Sequence, residues 1–214
     1  MDENIKKDIY QKRCALAEKA LKANGFQVTY VDNSISALQL VMSEIPKDAT
    51  VGISGTVTVR EIGLIDALQK QGNTIYTDWH HGLEKEEKLR IRRAGNASDV
   101  YLTSSNAITL NGQLVNIDGT GNRVAAMIFG PKKTIIIAGV NKIVDTLDDA
   151  FARIKNVTCP LNGRRLDLNI PCALTGKCTD CNSTQRMCKV SVVIDKKPHL
   201  SDINIFLVGE QLGY

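Results

Sequence analysis

Long apolar runs are missing from this 214-residue chain. The longest, such as Ile135 to Val140, fall far short of the roughly 20 residues a membrane helix needs. The amino-terminal stretch MDENIKKDIYQKR is charged throughout and lacks the apolar core of a secretory signal. These absences lead us to expect a cytoplasmic protein with no membrane partner. Charge of one sign is also scarce, with 27 Lys+Arg against 23 Asp+Glu and a net charge of +4. A nucleic-acid binder concentrates far more positive charge on one face. The one local excess, KLRIRR at residues 88–93, is preceded by EKEE and suits a solvated helix face with i,i+4 pairs. No nucleic-acid partner is expected. Aromatic residues make up 5% and Trp79 is the single tryptophan. There is no P-loop lysine motif, no G-x-G-x-x-G, no H-E-x-x-H, no EF-hand loop and no Ser/His/Asp spacing.

What is present is an ordinary core-forming composition, 43% hydrophobic and 23% charged, able to bury a core without disulfide staples. Ile5, Ile9, Leu16 and Ala20 fall on one side of a 3.6-residue repeat, so the chain is expected to open with a helix buried on that face and ended by Asn24-Gly25. Strand-like runs follow at 26–31, 50–54 and 73–77, and a nearly all-apolar one at 133–140, separated by helical patterns. The all-apolar run fits a strand covered on both faces. Asn111-Gly112 predicts a two-residue hairpin between strand-like segments, and late strands are expected at 190–194 and 203–208. This alternation predicts an α/β fold, an open and mostly parallel sheet with helices on both faces. Residues 1–158 form the expected body and residues 159–189 a small Cys-rich loop module. Residues 190–214 return to the body.

The densest chemistry lies in PCALTGKCTDCNSTQRMC, where Cys172, Cys178, Cys181 and Cys188 follow a C-x5-C-x2-C-x6-C spacing. In a reducing compartment disulfides are disfavoured, and crowded thiols point to metal, because a cation offsets thiolate repulsion. Zinc sites usually pair two tight C-x2-4-C knuckles across a longer loop. One tight pair flanked by wider gaps wraps an iron–sulfur cube more naturally, although it matches neither ferredoxin spacing. The expected cofactor is therefore a [4Fe-4S] cluster, with zinc, a reversible disulfide and plain packing as the alternatives. Cys14 and Cys159 stand apart from the cluster and are expected to be small buried apolar residues.

Polar turns at expected strand ends form a second constellation. Ser54, Gly55 and Thr56 follow a buried strand and open a helix, where backbone N–H groups favour an anion. In D-G-T-G-N-R, Asp118, Gly119, Gly121, Asn122 and Arg123 combine flexible backbone, amide donors and a fixed charge, suited to a carboxylate or phosphate or to an ordinary Asp-Gly turn. Asn106, Asn141 and Lys142 add polar groups beyond two further strands. Ligands of open α/β sheets bind outside the carboxyl ends of the strands, so these residues are the candidate ligand-binding set. Asp118, Glu61 in the first turn of its helix, and His80 in TDWHHG are the candidate acid–base groups.

The segments VGISGTVTVREIGL and SDVYLTSSNAITLNGQLVNIDGTGNRVAAMIFGPKKTIIIAGVNKIV, with the closing LVGEQLGY, resemble the LUD-domain family, the lactate-utilisation protein C-like group. The resemblance runs from about Val51 to Tyr214. It implies a fold similar to the glucosamine-6-phosphate isomerase, ribose-5-phosphate isomerase and CoA-transferase group, whose members bind sugar phosphates or acyl-CoA at strand ends. No carboxylate stands at Ser105-Asn106-Ala107 in place of the transferase glutamate, and Asp118 with Lys132 or Lys142 only loosely mimics the isomerase pair. The resemblance implies a role in oxidising lactate or a related small acid, beside or within an iron–sulfur oxidoreductase partner. The alternatives are a free-standing isomerase or transferase acting on a phosphorylated or CoA-linked molecule, and a zinc-clipped interaction protein. Association into a homo-oligomer is left open.

Overall fold

The computed structural model describes residues 3–79 and 82–214. Six strands form a wholly parallel sheet in the order β1-β10-β7-β4-β2-β3. They are β1 (Gln27–Val31), β2 (Thr50–Ile53), β3 (Thr74–Thr77), β4 (Val100–Thr103), β7 (Lys133–Gly139) and β10 (Asp202–Val208). A second, mixed sheet follows the order β8-β5-β6-β9, built from β5 (Ala107–Thr109), β6 (Leu114–Asp118), β8 (Ile143–Val144) and β9 (Val190–Ile194). The helices are α1 (Glu3–Ala23), α2 (Ser34–Ser43), α3 (Val57–Glu61), α4 (Leu64–Gln71), α5 (Lys85–Asn96), α6 (Asn122–Ile128), α7 (Leu147–Arg153), α8 (Cys159–Arg165) and α9 (Pro171–Thr175).

The all-apolar central strands explain the layering, because successive side chains point to opposite faces. Ile135 and Ile137 of β7, with Phe206 and Val208 of β10, pack on one side beside Ala37 and Val41 of α2, Val59 of α3, and Leu64 and Leu68 of α4. Ile136 and Ala138, with Ile203, Ile205 and Leu207, pack on the other beside α1 and one face of the small sheet. The small sheet's opposite face, through Ala107 and Val115, meets Ala150, Ile154, Cys159, Ile170 and Cys172. The molecule is thus layered as helices, parallel sheet, α1 with the small sheet, and finally the α7–α9 region carrying cysteines.

Three sequence expectations need correction. The buried face of α1 is Cys14, Ala17 and Leu21 with Tyr10 beside them, whereas Ile5, Ile9 and Leu16 are exposed. Both sets recur at helical spacing, and the face with Cys14, Ala17 and Leu21 is the one packed with Ile136, Ala138, Ile205 and Leu207 of the sheet. The β5–β6 connection is a three-residue loop, closed by Thr109 N–H to Gln113 O, with Gly112 at φ +77°. That is the longer hairpin form with glycine in the left-handed position, and a Cβ at Gly112 would collide with the backbone of Ala20 in α1. Finally, the expected boundary at 158/159 falls inside a continuous helical stretch. α7 passes through a π-helical turn, Ile154–Thr158, directly into α8. The small second sheet was not foreseen as a separate layer.

Candidate functional site

Because all six strands run parallel, the residues after β2, β3, β4, β7 and β10 share one edge of the sheet. The crossovers from β2 and β4 leave in opposite directions, the arrangement that opens a crevice in such sheets. There Ser54 Oγ and Thr103 Oγ1 lie 3.0 Å apart, and Trp79 Nε1 donates to Ser54 O at 3.2 Å. Two guanidiniums lie over the Trp79 ring, Arg60 at 4.4 Å and Arg165 at 4.8 Å from its centroid. Thr56 is buried and its N–H bonds Ser54 O, while Gly55 is exposed with open space around it.

At the middle of the edge stands Lys142, 3% exposed, donating to Thr58 Oγ1 at 2.9 Å and Ser104 Oγ at 2.8 Å. Burial, followed by the charges of Arg153 and Arg123, pushes its amine down to about 7. Residues 212–214 cross over it. Asn141 Oδ1 accepts from Leu212 N–H at 3.1 Å, its Nδ2 donates to Gly213 O at 3.1 Å, and Gly213 N–H donates to Glu61 Oε2 at 2.6 Å. Glu61 therefore acts from the last residue of a five-residue helix, not the first turn expected from sequence.

The D-G-T-G-N-R turn is built differently from a free anion cradle. Arg123 turns inward and donates to Asn116 Oδ1 (2.5 Å), Asn106 Oδ1 (2.9 Å), Ile117 O (3.0 Å) and Ser104 O (3.2 Å). Its guanidinium ties the β4–β5 segment to β6. Asp118 accepts from Val124 N–H and Gly119 N–H, both at 3.2 Å, and so fastens the start of α6. Gly121 caps α6 at φ +88°, Gly119 lies against Met187, and Asn122 borders a water-sized cavity with Tyr101 and Asp78. Arg153 bonds Asn106 O (2.7 Å), Asn141 O (2.8 Å) and Thr158 Oγ1 (2.9 Å). The structure thus gathers Ser54, Asn106, Asn141, Lys142 and Arg123 along one edge, while His80 lies outside the described residues.

The cysteines converge elsewhere, on the outer face of the small sheet. Cys172, Cys178, Cys181 and Cys188 line one cavity of about 110 Å³ together with Cys159, Ile117 and Lys155. Cys159, set aside on sequence grounds, lies with its sulfur 3.2 Å from that of Cys188. Either thiol can donate in this contact. This bond raises Cys159 and lowers Cys188 to about 7, with Arg186 and Lys155 helping to lower it. Burial, then the neighbouring thiols Cys188, Cys178 and Cys181, raises Cys172. Arg186 shapes the loop by donating to Cys181 O (2.6 Å), Cys188 O (2.7 Å) and Asp180 Oδ1 (2.7 Å). Among the described residues, no three His, Cys, Asp or Glu side chains close on a point that would hold a single metal ion.

Helix α8 links the two places. It begins at Cys159 on the cavity, and its later residues reach the sheet edge. Asn162 is 3.5 Å from the Tyr214 hydroxyl, and Arg165 lies against Trp79. Six residues of helix span only about 9 Å. Cys159, Thr58, Ser104, Arg153 and Arg165 were missed by sequence reasoning, because no local spacing marks them and only the tertiary fold brings them in.

The fold and edge together define an α/β protein with a strand-end crevice and a separate cysteine pocket. The LUD-domain family model matches residues 14–208, and the chain belongs to that family. A solved structure, a DUF162 family protein from Deinococcus radiodurans, is similar at a TM-score of 0.54 and 12% identity, covering 93% of this chain and 98% of the other. That likeness speaks for the fold alone. No curated protein of matching sequence was found. Among the described residues no helix is long and apolar enough to cross a membrane.

Proposed function

We propose that this LUD-domain protein carries a [4Fe-4S] cluster in its cysteine pocket and handles a small 2-hydroxy or 2-oxo acid at the strand-end edge, in support of lactate-type oxidation. The observation that carries the reading is the convergence of five cysteines on one cavity, at the head of a helix that ends against the edge. Zinc would need its thiolates about 2.3 Å from one point. Thiols spread around about 110 Å³ suit a group in which four of them, Cys172, Cys178, Cys181 and Cys188, each bind a different iron. When bound, such a group supplies one-electron transfer.

The residues of this chain do the rest. Arg186 holds the loop so that Cys181 and Cys188 face the cavity, and Lys155 and Arg186 offset thiolate charge. At the edge, the guanidiniums of Arg60 and Arg165 over the Trp79 ring favour an anionic ligand at the mouth. Arg123 and Arg153 contribute positive field from beneath rather than direct contact. The partner in this reading is an iron–sulfur oxidoreductase of the cytoplasm that exchanges electrons with the cluster. Oxygen-free purification followed by visible and paramagnetic-resonance spectra tests it. A reducible iron–sulfur signal, lost in a Cys178→Ser/Cys181→Ser double variant, is expected. Colourless protein loaded with zinc alone would leave a structural clip instead.

A further inference from the structure

Lys142 is buried at the strand-end edge, and among the described residues no carboxylate lies within ion-pair distance of it. We propose that Lys142 is a nucleophilic amine that forms an imine with the carbonyl carbon of a small 2-oxo acid. The proposal rests on the reading of this edge as an acid-binding site and goes beyond it by naming the atom that reacts.

A buried ammonium would present three N–H donors and an unbalanced charge. The structure provides two hydroxyl partners, Thr58 and Ser104, which match the two N–H bonds of a neutral amine and leave its lone pair free. Arg153 and Arg123 lie near enough to act on Lys142 electrostatically, as does Glu61 in the opposite sense. Burial first, and then the two guanidiniums, disfavours the ammonium form, and the guanidiniums leave a positive field suited to a carboxylate beside the reacting carbonyl.

Access is governed by the strap above. Gly213 sits at φ +56°, and a Cβ there would lie 3.5 Å from Lys142 Nζ and 2.6 Å from Thr58 Oγ1. Glycine thus lets the backbone close directly over the amine. Releasing Gly213 N–H from Glu61 and Gly213 O from Asn141 uncovers Nζ while Leu212 stays in the core.

The step balances without an oxidant. The Nζ lone pair forms a bond to the carbonyl carbon as the C=O π pair moves to oxygen, and one amine proton passes to that oxygen to give the carbinolamine. The second amine proton follows as the C–O bond breaks, so that water leaves with both amine protons while the nitrogen pair closes the C=N bond. Ser104 and Thr58 hydroxyls stand where those protons must pass.

The test is borohydride trapping on the 214-residue protein with pyruvate or glyoxylate, with lactate as the control lacking a keto group, read by intact mass and peptide mapping. The expected result is one adduct per chain, with the mass of the acid less one oxygen, on the Lys142 peptide. It should be absent from a folded Lys142→Arg variant. No adduct, or one scattered over surface lysines in the wild type, overturns the proposal even if the variant misfolds. Ligand-observed NMR with pyruvate separates the two readings. Binding without a Lys142 adduct removes the imine and keeps the acid site, whereas no binding removes both.

Discussion

Lys142 and Arg123 are both basic side chains drawn away from water, yet the chain partners them in opposite ways. Arg123 spreads its charge over two asparagine side chains and two carbonyl groups, whereas Lys142 has two neutral hydroxyls. Arg123→Met should remove these four charge-assisted bonds, leaving Asn116 Oδ1, Asn106 Oδ1 and Ser104 O with their second donors Asn106 N–H, Ile117 N–H and Thr103 Oγ1, and cost on the order of 3 kcal/mol, checked by urea unfolding. Lys142 behaves differently because its amine, ordinarily at 10.5, sits near 7 in the folded state. Unfolding then takes up a proton between those values, so the penalty of burying Lys142 is full below about pH 7 and fades as pH rises toward 10.5. A Lys142→Met variant should therefore gain most, relative to wild type, near neutral pH, and the advantage should shrink on going to alkaline pH. Urea midpoints of both proteins across that range check it. A pH-independent difference would contradict it. At this scale the sequence was half legible. Strand-end residues such as Asn106 and Lys142 announced themselves by following apolar runs. Whether Arg123 points at a ligand or back into the chain depends on Asn116 and Ser104, which no local pattern connects to it.

The elements show where periodicity suffices and where it does not. β7 and β10 were readable because a strand that is apolar over most of its length, as at residues 135–139 and 205–208, is stable when covered on both faces. α1 was misread because two faces of one helix are apolar, and the choice is made by how closely Gly112 and the sheet approach it. Ile9→Lys should thus leave stability within about 0.5 kcal/mol. Leu21→Ala should cost about 2–5 kcal/mol, both by chemical denaturation. The π-helical turn Ile154–Thr158 is a second case. Its extra residue sets the direction of Cys159 at the head of α8, and such turns gather at functional sites. Deleting Asn156 should restore the α-helical register and rotate Cys159 by about 100°. It should abolish the Cys159–Cys188 contact and slow or prevent metal loading, measured by reconstitution with iron and sulfide. The capping box at Thr146 and Asp149 anchors the upstream end of this helix, so the register change is transmitted toward α8.

For the whole molecule, alternating strands and helices were enough to predict the open parallel sheet, since each apolar run had to be covered. The separate small sheet was not predicted, because β5, β6, β8 and β9 are short and their pairing spans from Ala107 to Ile194. That sheet decides the architecture of function. Its inner face closes the core behind α1, and its outer face bears the cysteine cavity. Ile117 serves both, with its carbonyl held by Arg123 and its side chain on the cavity. A cluster there would sit against the same strand that organises the edge, and α8 would join the two by about two helical turns.

The central claim is that the five-cysteine cavity holds an iron–sulfur cluster, and the most direct measurement is iron, zinc and acid-labile sulfide analysis with a visible spectrum on protein purified without oxygen. The account predicts about four iron and four sulfide per chain, with broad absorption near 400 nm that bleaches on reduction. About one zinc per chain with no sulfide and no colour would contradict it.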